Sequence, residues 1–141
     1  MRFCCLIVLG LVACGDGNSE NSPSTPTAIG LEVAGTWTSP YGVETISDTA
    51  WGSDAFSGHV VKFDNATNVA VVQGPQKGPH EPGTYSKYVW TDIKDNVFYY
   101  CTVDYNLASL AAVAASTKVA DASDPDHKGC GGFAWTKLTR Q

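Results

Sequence analysis

The chain has 141 residues, 43% of them hydrophobic and 16% charged, with a formal net charge of −5. That composition suits one ordinary globular domain and argues against both a multi-span membrane protein and a disordered polymer. Acidic residues outnumber basic ones and no basic patch is present, so nucleic acid is not an expected partner.

The first element is a secretion signal. Arg2 supplies a positive start, and residues 3–12 form an apolar run of about ten residues, too short to span a bilayer. The run ends in Leu11, Val12 and Ala13, followed by Cys14 and Gly15. The tetrapeptide LVAC resembles the lipobox of bacterial lipoproteins. That resemblance implies cleavage after residue 13 and diacylglycerol on Cys14, with further acylation (a palmitate-type chain) on the new N-terminus. Two or three acyl chains anchor firmly, at about 0.8 kcal/mol per buried methylene, and make a transmembrane helix unnecessary. Inner-membrane retention in enterobacterial lipoproteins commonly goes with Asp directly after the lipidated Cys. Gly15 stands there and Asp16 one later, so the resemblance favours the outer membrane.

Residues 15–34 are rich in Ser, Asn, Gly, Pro and Thr and cannot bury enough surface to fold alone. They read, with Cys14, as a tether with a span of roughly 25 Å, stiffened at Pro23 and Pro26.

From residue 35 onward the texture changes to short runs of Trp, Tyr, Val, Thr and Ile separated by Gly, Pro, Asn and Asp, which predicts antiparallel β structure. The expected strands cover 36–38, 44–51, 59–63, 69–73, 84–92, 96–104 and a final run over 132–139. Residues 59–63 and 69–73 flank a polar turn as a hairpin, and Lys94, Asp95 and Asn96 form the next turn. Residues 107–118 (LASLAAVAASTK) predict a single helix with Asn106 as its N-cap. Seven or so strands in one small domain must hide their edges. A small antiparallel β-barrel over residues 35–141 with one helix near its C-terminal end is therefore expected, and a β-sandwich is the alternative.

Gly35, Thr36 and Trp37 resemble the G-x-W opening of lipocalins and avidin-like barrels, in which the Trp caps one barrel end. The segment from Gly35 also resembles small Gram-negative lipoproteins of unknown function with a GTW start, a YYC strand (Tyr99, Tyr100, Cys101) and a CGGFxWTKL ending (130–138). That family implies an architecture and a location but no catalytic residues.

Of five cysteines, Cys4 and Cys5 leave with the signal and Cys14 carries lipid. Cys101 and Cys130 remain, and an oxidising compartment predicts a disulfide between them. His59, His80 and His127 lack metal-ligand spacing and read as solvated. Asp121, Asp124 and Asp126 are a weak candidate for Ca²⁺. They lack the glycine and the terminal Glu of an EF-hand loop, and no metal or other cofactor is expected. No nucleophile elbow or phosphate loop is present, so no catalytic residues and no enzyme are expected. Trp37, Trp51 and Trp90 are the candidate ligand-binding residues, weighed against a role for the aromatics in the core. The expectation is a lipid-anchored, non-catalytic binding module for a small ligand, glycan or protein. The alternative is a structural or inhibitory lipoprotein acting through its surface.

Overall fold

A computed structural model describes residues 29–77 and 82–141. The signal, Cys14, most of the tether and His80 lie outside the described residues. Eight strands and one helix follow in order: β1 Gly35–Ser39, β2 Gly42–Ile46, β3 Ala50–Gly52, β4 Ser57–Asp64, β5 Val69–Gln73, β6 Tyr85–Trp90, β7 Val97–Leu107, α1 Leu110–Ala115 and β8 Thr136–Arg140. Each strand pairs antiparallel with the next. β8 returns to β1 through Trp37↔Arg140 and Thr38↔Thr139, closing the sheet into a barrel. The β1–β8 ladder makes the sheet a barrel and not the alternative sandwich, and closure leaves no exposed edge strand.

The strand expected over 44–51 is two strands. Ser47 breaks it: its hydroxyl accepts the N–H groups of Thr49 and Ala50, and its own N–H bonds Ala50 O at 2.8 Å, a side-chain-stabilised turn. The predicted hairpin forms between β4 and β5, with a register shift between Val60 and Lys62. Its turn is held by the Asp64 carboxylate, which accepts from Ala66 N and the Thr67 hydroxyl, each at 2.9 Å. The β6–β7 turn is also as predicted. Asp95 and Asn96 take φ of 50° and 62° between the paired Lys94 and Val97, the left-handed pair that a two-residue hairpin turn needs.

The helix is shorter than its composition suggests. β7 runs on to Leu107, which pairs with Tyr85, so Asn106 lies in the strand with φ 56°. Ser109 is the cap instead, accepting Ala112 N–H at 3.1 Å. Sheet pairing thus overrides the helix propensity of the first residues, and α1 buries only Val113.

One end of the barrel is plugged. Residues 29–34, read from composition as the end of the tether, pack beneath it with Leu31 and Val33 buried. Leu31 N–H donates to Asp48 Oδ1 at 2.7 Å. Asn65 accepts from Glu32 N–H and donates to Gly30 O. Trp37 donates its indole N–H to Val33 O at 2.9 Å, packs edge-on against Phe98, and carries the Arg140 guanidinium over its ring at 4.4 Å. Trp90 donates to Glu32 Oε1 at 2.6 Å.

A second, smaller core lies outside the barrel. The excursion between β7 and β8 folds back over the outer wall, where Cys101, Val103 and Trp135 cluster with Val89, Tyr99, Ala120 and Cys130. The expected disulfide joins Cys101 to Cys130, with Cα atoms 5.5 Å apart. Gly129, at φ 100°, brings the backbone against Asp121 O, where any Cβ would collide. Trp135 donates its indole N–H to the same carbonyl at 3.0 Å.

Candidate functional site

Strand alternation decides what faces inward. In β2, Glu44 and Ile46 share the inner face. Ile46 belongs to the apolar core, but Glu44 places a carboxyl inside the barrel with only 6% exposure. Around it stand Ser39 from the end of β1, Trp51 from β3 and Tyr100 from β7, with Tyr88 of β6 behind Tyr100. Ser39 ends β1 and Thr136, paired with Tyr100, begins β8, so this cluster lies toward the rim opposite the plugged end.

The rings are in contact with one another. Trp51 meets Tyr88 and Tyr100 edge-on, each at 5.3 Å between centroids, and the two tyrosines stack at 5.6 Å. Phe98 and Trp90 continue this packing toward the plug. Gly58 is the cross-strand partner of Trp51, and a Cβ there would collide with the Val72 side chain. Tyr100 and Thr136 are only half-buried and form the solvent-facing edge of the cluster.

Burial pushes the Glu44 carboxyl above the usual range, and the Ser39 and Tyr100 hydroxyls and the Trp51 indole turned toward it pull the other way without cancelling it. None of the ion pairs among the described residues involves Glu44. The Trp51 indole N–H turns toward the same carboxyl yet closes no hydrogen bond of good geometry, leaving a fully buried donor without a partner. Burial, together with the neighbouring Glu44 charge, pushes the Tyr100 phenol strongly upward, so it stays protonated. The arrangement offers a carboxyl acceptor, hydroxyl and indole donors, and π faces.

Of the three candidate tryptophans, Trp51 turns its indole N–H toward the Glu44 carboxyl, while Trp37 is the cross-strand partner of Glu44 and Trp90 packs against Trp51. Trp37 and Trp90 hold the plug. The three aspartates turn to different partners: Asp121 accepts Ser123 N–H, Asp124 pairs with His127 at 2.7 Å, and Asp126 accepts the Tyr99 hydroxyl at 3.0 Å. Among the described residues no three His, Cys, Asp or Glu side chains come together as a metal site. His59 and His127 are exposed. Asp124 raises the His127 imidazole above its ordinary range.

Grooves lie on the outer wall formed by the described residues. One of about 350 Å³ runs between α1 and β4–β6, lined by Lys62, Phe63, Lys87 and Val113. A second, of about 600 Å³, lies near the plugged end beside Trp90, Tyr99, Pro125 and Lys137. A third, of about 380 Å³, lies outside β2 and β3, lined by Val43, Thr45 and Ser57. No described helix is long and apolar enough to cross a membrane.

Sequence reasoning did not single out Glu44 or Ser39. The available signal was the alternation through residues 42–46, which sets Glu44 on the face of Ile46. The class that fold and site define is a closed, eight-stranded, up-and-down antiparallel barrel, plugged at one end and carrying a buried carboxyl among aromatic rings at the other. Comparison with family models, curated proteins and solved structures finds no match for the chain.

Proposed function

We infer that this chain is a non-catalytic binding module, lipidated on Cys14 and held at the outer membrane of a bacterial envelope, that takes a small ligand at the Glu44 end of its barrel. The observation that carries the reading is the buried Glu44 carboxyl, which has aromatic neighbours and no cationic partner among the described residues. Burying a carboxyl costs several kcal/mol unless it is paired, and groups held at such a cost cluster at functional sites. The polarity of the barrel agrees with this. The described chain enters beneath the plugged end at Ile29, so a tether on that side leaves the Glu44 rim facing away from the lipid.

A ligand bound there raises the melting temperature of the native chain and not that of Glu44→Gln. Absence of any such ligand from a broad panel of amines, acids, sugars and apolar molecules would count against the reading. Cys14→Ser is expected to move the chain from the membrane fraction to the soluble one. Continued sedimentation with membranes would overturn the lipid anchor.

A second reading, contact with an envelope protein through the outer surface, draws on two exposed aromatic side chains. Tyr41, at the β1–β2 turn, is 85% exposed and Phe133, beside the disulfide, is 77% exposed. A partner captured by the native chain and lost with Tyr41→Ser and Phe133→Ser together would favour it.

A further inference from the structure

We propose that the ligand of the Glu44 site is a small organic cation, a primary ammonium on a short apolar body, whose N–H donors meet the Glu44 carboxylate while its body rests against Tyr100. The proposal rests on the binding reading above and adds the charge and size of what is bound.

Charge comes first. The carboxyl lies inside the barrel wall, and its surrounding groups are hydroxyls, an indole and rings. The titratable groups facing it among the described residues are Tyr100 from β7 and, behind that, Tyr88 from β6. Tyr100 stays neutral across the physiological range. An anion would meet a like charge there, and a neutral apolar molecule would leave the carboxyl unpaired. A cation supplies the missing partner and also gains from the π faces of Trp51, Tyr88 and Tyr100, an arrangement that favours ammonium groups.

Size follows from packing. Trp51, Tyr88 and Tyr100 touch one another at centroid distances of 5.3 to 5.6 Å, so no slot between them admits a flat ring. Tyr100 and Thr136 are the half-buried edge of the cluster, the side from which a ligand is expected to approach, and the 6% exposure of Glu44 calls for a narrow head group. The buried Trp51 N–H faces the same carboxyl, and a carboxylate kept ionised by a bound cation is the stronger acceptor for that donor.

The test titrates the purified full chain with four probes of similar size, namely butylammonium, tetramethylammonium, butyrate and butanol, and follows the indole N–H resonances by NMR. Butylammonium is expected to shift the Trp51 signal. Its affinity should rise about tenfold per pH unit below the Glu44 titration and level off above it, because the cation selects the ionised carboxylate. Glu44→Gln should lose at least about tenfold in affinity. Tetramethylammonium, which has no N–H, should bind more weakly than butylammonium. Binding of butyrate or butanol with equal affinity, or a flat pH profile in the native chain, would overturn the cation while leaving the rim as a binding site. Failure of all four probes to move Trp51 would overturn this proposal, and the binding reading falls with it if the wider panel is also silent. The pH profile of the native chain decides the matter even if Glu44→Gln folds poorly.

Discussion

Glu44 and Asp104 are both buried carboxyls, yet their environments make them respond to pH in opposite senses. Asp104 accepts from Lys118 Nζ and the Ser116 hydroxyl, each at 2.7 Å, and these bonds hold it below its ordinary value of 3.8. Its contribution to stability is present above that value and is lost as pH falls through the lower, folded one. Glu44, raised by burial above its ordinary 4.5, does the reverse: between the two values the folded state holds the extra proton, so stability falls as pH rises through that interval. Urea titrations across pH should therefore show that Glu44→Gln removes the decline on the neutral side, whereas Asp104→Asn removes the decline on the acid side. Trp37 is a structural residue of another kind, fully buried, hydrogen-bonded to Val33 O and capped by Arg140. Trp37→Ala should cost about 3 to 5 kcal/mol, read from the denaturation midpoint, and a loss below 1 kcal/mol would show that the plug is not part of the core.

Among the elements, the excursion between β7 and β8 depends on its covalent link. The disulfide spans 29 residues, for which chain entropy gives about 3 to 4 kcal/mol. Reduction, or the double replacement Cys101→Ala with Cys130→Ala, should lower Tm by roughly 15 to 25 °C. Trp135 fluorescence should change with it, since that indole packs in the outer core. The disulfide was readable in advance from cysteine counting, and so were both long hairpins, because Asp64 and the Asp95–Asn96 pair carry their turn geometry in their own side chains. The break at Ser47 and the late start of α1 were not. Each depends on competition between a local preference and a distant partner: Ala50 must find His59, and Leu107 must find Tyr85. The binding cluster was half legible. The aromatic residues stood out, but the inward carboxyl shows only once strand register assigns Glu44 to a face, and the plug shows only once Val33 meets Trp37 across the chain's fold.

For the whole molecule, the disposition of the two ends separates anchoring from recognition. The plug takes the N-terminal segment at one end, while the carboxyl cluster and the exposed Tyr41 belong to the other. A variant lacking residues 29–34 should therefore be destabilised through loss of the Leu31 and Val33 contacts. Ligand binding per folded molecule should be retained, measurable by titration at low temperature; loss of binding in a folded sample would show that the two ends are coupled. The seam between β1 and β8 has a temporal meaning as well. The partner of β1 is β8, the last in chain order of the described strands, with Arg140 opposite Trp37. A chain threaded N-terminus first through any pore must wait, half-curled and with both sheet borders open, until β8 arrives. Ending the chain at residue 135 should leave a species that never completes this ring and self-associates through its bare borders.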